Sequence, residues 1–217
     1  MNKQLVGFNI VITANNFNPT VFNQVWLYKN KIATEEDFKL PGNVIADGFT
    51  QISAENFVII ITPQQLQFIP RNIDIAFGTI KGILVKLIEL IPQTPFIGID
   101  INFDWHFTLD TSFHEYTKSK FWNENNPFLK HFATPDCSYG YYISKNIEEV
   151  NDVRLKLNIK PIQFPVIGQE SQERLQLLFN YHKDYKSEDI NRILTMLQDW
   201  DKLYNNSDYN SNLLFNE

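Results

Sequence analysis

The sequence is poor in the residues on which several classes of functional site depend. It has one cysteine, Cys137, so no disulfide can form within the chain. It has eight glycines, and none of the glycine-rich phosphate-binding patterns occurs. No uninterrupted apolar run approaches the length of about 20 residues that a membrane-spanning helix needs. These absences argue against a disulfide scaffold, a nucleotide-binding loop and a membrane protein.

Positive charge is also scarce. The chain has 19 basic and 25 acidic residues, for a formal net charge of −6, and its few arginines are dispersed: Arg71, Arg154, Arg174 and Arg192. Nucleic-acid backbones are bound by clustered lysine and arginine, and neither such a cluster nor a nucleic-acid-binding motif is present. The composition therefore argues against nucleic acid and favours a protein partner with a basic surface.

What the sequence does contain is typical of a globular protein. Of its 217 residues, 43% are apolar and 14% aromatic, enough to bury a substantial core. Near the N-terminus, residues 5–13 alternate like a strand and Asn9 interrupts the apolar run, which favours a strand over a signal peptide. We therefore expect a cytoplasmic protein. The abundance of Asn, Ile, Lys and Phe is typical of a low-GC bacterial genome or a mobile element.

One order of elements occurs twice along the chain. A strand, a capped helix, further strands and a long amphipathic helix fill the first half, which ends near Pro95. The order then restarts with a long alternating strand at 97–107, and its closing helix is expected to be capped by Ser187. When VGFNIVIT (6–13) is aligned with IGIDINFD (97–104), Gly7 falls on Gly98 and Ile10 on Ile101. This self-similarity predicts an internal duplication.

The predicted fold class follows from this order. We predict an α+β protein of two divergent β-α-β-β-β-α units, at 1–95 and 96–204, with a polar C-terminal tail at 205–217. The units would form one curved, mainly antiparallel sheet with the long helices on one side. This element order resembles that of the TATA-binding protein, although no DNA-contacting residue of that family has a counterpart here.

A second resemblance concerns particular segments. The stretch NFVIIITPQQLQFIP (56–70) before a helix, and a late strand ending at Tyr181-His182 before the closing helix, resemble a sporadically distributed family of uncharacterised bacterial proteins. That family brings no activity, cofactor or site residue to this chain. Its patchy distribution implies genes of mobile elements or of antiviral defence.

The best candidate for a functional surface is the strand around residue 103. Alternation places its polar residues on one face and Ile99, Ile101, Phe103 and Trp105 on the other. The polar face is Asp100, Asn102, Asp104 and His106. Carboxylates, an amide and an imidazole can bind a hard metal or supply acid–base groups, but neighbours on one strand face lie about 7 Å apart. A solvated sheet face and a binding surface are therefore both kept as interpretations.

The remaining candidates are aromatic or isolated. The run Tyr139-Gly140-Tyr141-Tyr142 is expected on a strand, where alternation exposes at least one ring to a partner. Cys137 has no sequence neighbour that would make it a nucleophile, and the four histidines lack the spacing of a metal site. The sequence thus predicts no catalytic residue, no metal and no cofactor.

These observations favour a non-enzymatic binding or interaction protein, as a recognition or accessory component of a bacterial defence or mobile-element system. Two alternatives remain at this point. One is a metal-dependent hydrolase or nuclease that uses Asp100, Asp104 and His106. The other is an acidic inhibitor or immunity protein that covers a basic site on a toxin.

Overall fold

Antiparallel strands form the frame of the molecule, in a computed structural model that describes residues 2–73, 77–150, 152–166, 168, 170–185 and 190–214. These residues form one sheet of nine strands in the order β2-β3-β4-β5-β1-β6-β9-β8-β7. The strands are β1 (Asn2–Ala14), β2 (Val44–Ala46), β3 (Phe49–Ser53), β4 (Phe57–Ile61), β5 (Gln65–Pro70), β6 (Phe96–Thr108), β7 (Tyr141–Asn146), β8 (Arg154–Phe164) and β9 (Gln172–Asp184). The predicted α+β class with an antiparallel sheet is confirmed, and the sheet is open.

Helices cover one face of this sheet. They are α1 (Gln24–Lys29), α2 (Phe77–Glu89), α3 (Phe113–Phe121), α4 (Pro127–His131), α5 (Ile190–Gln198) and α6 (Trp200–Leu213), with short 3-10 helices at Pro19–Val21 and Asp37–Lys39. Helix α2 packs against α5, and α5 and α6 pack on β6. Within the described ranges, no helix is both long and apolar enough to cross a lipid bilayer.

The core lies between the helices and the two central strands. Alternation sends Phe8 and Ile10 of β1, with Ile101 and Phe103 of β6, toward the helices, where all four are buried. The Trp200 ring at the start of α6 packs edge-on against Phe8, with 5.3 Å between ring centroids. The apolar face of each strand therefore fixes which face of the sheet remains open.

The two halves of the chain have similar strand arrangements, with five strands in the first half and four in the second. In each half the first strand pairs with the last strand, β1 with β5 and β6 with β9, and the other strands continue outward. The halves meet where β1 pairs with β6, and Ile10 lies directly opposite Ile101. The register shifts between Leu5 and Gly7, which makes a β-bulge at Val6.

The C-terminal segment differs from its predicted form. The boundary drawn at residue 204 falls inside α6, which continues through Leu213. The segment resembles a tail because its buried positions include Ser207 and Ser211, which pattern analysis counts as polar. The single closing helix predicted for the second half is in fact two helices, α5 and α6, which meet at Asp199. Ser187, the expected cap of that helix, lies outside the described residues.

Candidate functional site: the open face of the sheet

The four residues singled out on β6 lie on the face of the sheet opposite the helices. Asp100, Asn102 and Asp104 are half-buried there, as their alternation predicts. His106 differs, because it is buried, with 3% of its surface exposed. We call this surface the open face; it continues over β1 and β5 on one side of β6 and over β9 and β8 on the other.

A row of amides crosses the middle of the open face. Asn9, Asn102 and Asn180 lie directly opposite one another on β1, β6 and β9. The Asn102 Nδ2 donates to Asn9 Oδ1 at 2.8 Å, and the Asn180 Nδ2 donates to Asn102 Oδ1 at 2.8 Å. Because each amide is fixed by its neighbour, the row is a preorganised polar surface.

Asp100 belongs to a hydrogen-bonded group on one side of this row. Its Oδ1 accepts from Asn180 Nδ2 at 2.8 Å and lies 2.9 Å from His182 Nδ1. The other ring nitrogen of His182 lies 3.0 Å from Asp184 Oδ1. His182 therefore bridges two carboxylates, an arrangement that orients Asp100 within the surface of the sheet.

Asp104 lies on the other side of the amide row. Both of its carboxylate oxygens accept from Gln176 Nε2, at 2.9 and 2.8 Å. His106 Nε2 lies 3.2 Å from Asp104 Oδ1, but without hydrogen-bond geometry, and neither ring nitrogen of His106 has a hydrogen-bond partner among the described residues. The imidazole instead packs edge-on against the Phe164 ring at 5.2 Å.

The acidic residues of β6 do not converge. Asp100 and Asp104 are four residues apart on one strand, a separation of roughly 13 Å at the usual strand rise. Among the described residues, no three His, Cys, Asp or Glu side chains come together in a way that could hold a metal ion. Asp100 and Asp104 therefore do not meet at one point of the open face.

A depression lies between the amide row and Gly7. Its volume is about 270 Å³, and its lining combines apolar walls with three polar side chains. The lining residues are Val6, Gly7, Phe8, Asn9, Ile69, Pro70, Asn102, Asp104 and Leu178. We call it the Asp104 depression, because Asp104 is its one charged residue.

Basic side chains lie on the β9–β8 side of the amide row. Strand β8 carries Arg154 and Lys156 opposite His182 and Asn180, which places both on the open face. Arg174 of β9 lies over the Phe164 ring, with 3.8 Å from Cζ to the ring centroid. The open face thus carries both signs of charge, an arrangement that differs from the acidic surface expected of an inhibitor.

The tyrosine run is divided by the fold. Tyr139 was expected to face a partner, but it precedes β7 and is buried, with its ring 5.3 Å from that of Trp122. The Tyr139 N–H donates to Thr117 Oγ1 of α3 at 3.2 Å, and this bond holds Tyr139 against the helix. Tyr141 packs on Phe121 on the helix side, and only Tyr142, 64% exposed, lies on the open face.

Sequence reasoning missed the partners of the β6 residues. Strand β9 places three polar residues on the open face: Gln176, Asn180 and His182. Their alternation in the sequence indicates a polar strand face, but it does not indicate that β9 lies next to β6. It also missed the pairing of Ser138 Oγ with His114 Nδ1 at 2.6 Å, one residue beyond Cys137. That bond holds the segment before β7 against α3.

Comparison of the chain with protein-family models and with curated proteins finds no match in either. The functional interpretation therefore depends on the geometry of the open face.

Proposed function

We propose that this chain is a non-enzymatic interaction protein that binds a protein partner through the open face of its sheet. The observation that carries the proposal is the amide row of Asn9, Asn102 and Asn180, with its hydrogen-bonded neighbours, on a face that no described helix covers. Fixed polar groups lose little conformational entropy when a partner binds, which favours their use in recognition.

The charge distribution favours a protein over nucleic acid as the partner. Binding to phosphate needs a continuous positive surface, whereas Arg154 and Lys156 share the open face with Asp100 and Asp104. Aromatic side chains such as the exposed Tyr142 are enriched at protein interfaces. A surface of both charge signs can complement a protein partner, whereas it would partly repel a phosphate backbone. A role in bacterial defence or in a mobile element, as the second resemblance implies, would be exercised through that partner.

The proposal is tested by co-expressing the full chain with its neighbouring genes, identifying any stoichiometric partner, and measuring its affinity for variants of the open face. Tyr142→Ala and Lys156→Glu are expected to weaken binding at least about tenfold, because both lie on the proposed interface. Tyr209→Ala is the matched control, since Tyr209 is equally exposed but belongs to α6. Equal affinity for all three variants would overturn the proposal.

We propose in addition that the two halves arose by duplication. The alignment of Gly7 with Gly98 and of Ile10 with Ile101 supports this origin, together with the matching strand order of the two halves. Homologous sequences would test it: profiles built separately from residues 1–95 and 96–204 should align with each other at these positions. Profiles that align at another offset would contradict the proposed repeat.

A further inference from the structure

The Asp104 depression combines features that select a particular kind of chemical group. Apolar side chains border it on two sides, Ile69 and Pro70 of β5 on one and Leu178 of β9 on the other. The carboxylate of Asp104 and the amides of Asn9 and Asn102 lie between them, on β1 and β6. Such a lining suits an elongated group with an apolar stem and a polar head.

The floor of the depression exists because residue 7 is glycine. Gly7 lies directly opposite Asp104 across the β1–β6 pair, next to the bulge at Val6. A Cβ placed on Gly7 would meet no heavy atom within 4 Å, so the space above it is open. A larger residue would fit the strand there, and would fill the depression.

The charge of Asp104 has no cationic counterpart of its own. Its described contacts are the neutral amide of Gln176 and the imidazole of His106, and no lysine or arginine among the described residues pairs with it. A carboxylate can accept about four hydrogen bonds, so Asp104 keeps acceptor sites for a further donor. The carbonyl oxygens of Asn9 and Asn102 each accept one hydrogen bond from a described residue and can accept a second.

We infer that the Asp104 depression receives an arginine side chain of the protein partner, an inference that rests on the proposed function. The methylene groups of arginine can pack against the apolar side chains at either border, and its guanidinium matches Asp104 and the neighbouring amide oxygens. Arginine suits the site better than lysine because its planar group presents five donors and is more weakly hydrated than an ammonium group.

The inference is tested on the full chain with N-acetyl-arginine methylamide as the probe, followed by ¹H–¹⁵N NMR. We expect saturable shifts at Gly7, Asn9 and Asn102, and at least tenfold weaker binding of the citrulline analogue, which has the same shape without the charge. Asp104→Asn and Gly7→Val should each weaken the arginine probe at least tenfold. Val11→Thr, on the same strand face opposite Asp100, is the control and should bind like the unchanged chain.

Several outcomes would overturn the inference. Equal shifts with the arginine and citrulline probes would do so, as would no shift at Gly7 up to the solubility of the probe. Because Asp104→Asn preserves the shape of the side chain, it decides the question even if Gly7→Val does not fold. Partner binding that is lost in Tyr142→Ala but kept in Asp104→Asn would reject the arginine site and leave the proposed interface standing. Arginine binding with a partner insensitive to every open-face variant would reject the interface instead.

Discussion

Two glycines at aligned positions of the halves have opposite surroundings. A Cβ on Gly98 would lie 2.9 Å from Thr13 Oγ1 and 3.2 Å from the main-chain oxygen of Lys183, whereas a Cβ on Gly7 would be in open space. The Lys183 oxygen belongs to β9, so it cannot retreat without disturbing the β6–β9 pairing. Gly98 is thus needed for close strand packing, whereas no contact within 4 Å requires a glycine at position 7.

Alanine at the two positions should separate these roles. Gly98→Ala is expected to lower the free energy of unfolding by about 1–3 kcal/mol, because the added methyl group overpacks the sheet. Gly7→Ala should leave it unchanged or raise it by up to about 1 kcal/mol, since glycine weakens a strand. Urea denaturation measures both values, and equal losses at the two sites would contradict this assignment.

Asp37 has a depressed pKa with an identifiable cause. Its burial acts to raise the pKa, but hydrogen bonds from the main-chain N–H groups of Glu55 and Thr34 and from the Thr34 hydroxyl outweigh burial, so the pKa lies below its ordinary value of 3.8. The two main-chain bonds are 2.7 Å long and join the first 3-10 turn after Thr34 to the β3–β4 hairpin. Asp37 therefore stabilises the folded state in its charged form.

The variant Asp37→Asn should lower the free energy of unfolding at pH 7 by about 1–3 kcal/mol, because an amide nitrogen would face a main-chain N–H donor. Since the folded pKa is depressed, the stabilisation by Asp37 is complete above pH 3.8 and is lost as the pH falls through the folded pKa. The difference between the two proteins should therefore shrink only in acid. If the difference in free energy of unfolding stayed constant down to the lowest pH at which both proteins fold, the charge of Asp37 would not be its cause.

At the scale of elements, α6 supplies the polar partners of three neighbouring strands. Ser207 Oγ accepts from Trp105 Nε1 at 3.1 Å, Asn206 Oδ1 accepts from the Tyr181 hydroxyl at 2.8 Å, and Asp208 pairs with Lys3 Nζ at 2.6 Å. Burial, reinforced by the nearby charge of Glu149, raises the pKa of Tyr181, so its hydroxyl stays protonated and needs an acceptor. The helix is therefore part of the core although its sequence is polar.

Removing residues 205–217 should therefore destabilise the protein by at least about 3 kcal/mol, because it leaves the Trp105 and Tyr181 donors without their acceptors. Chemical denaturation followed by tryptophan fluorescence measures this loss. Tyr209→Ala, an exposed position on the same helix, should change stability by no more than about 0.5 kcal/mol. A truncated chain as stable as the full one would restore the interpretation of this segment as a tail.

These elements also show how far the sequence could predict the structure. The alternation along β1 and β6 was sufficient to predict both faces, because its period is set by the pleat of the strand. It could not predict the burial of His106, which depends on Phe164 from a strand two positions away in the sheet. The burial of Tyr139 and of Ser207 likewise depends on contacts between elements distant in sequence.

For the whole molecule, the β1–β6 pair joins the two halves in one continuous sheet. Phe8 of the first half packs on Trp200 of the second, and α2 packs on α5. Residues 1–95 produced alone would expose the edge of β1 and the apolar side chains that α5 and α6 cover.

We therefore expect residues 1–95, and likewise 96–217, to lack a cooperative thermal transition when produced alone, whereas the full chain unfolds in a single one. Circular dichroism at far and near ultraviolet wavelengths checks this expectation. A sigmoidal transition with native-like spectra in either half would show that the halves are independent domains.

The two outermost strands of this open sheet set the colloidal behaviour of the protein. In the part of the chain that the structure describes, no strand lies on the outer side of β2 or β7, and such edges pair readily with other chains. Strand β2 is protected by its length of three residues, whereas β7 has six and exposes Tyr141, Tyr142 and Ile143. In concentrated solution, self-association should therefore begin at β7. Lys145 is the one charged residue of that strand whose repulsion would act against pairing with another copy.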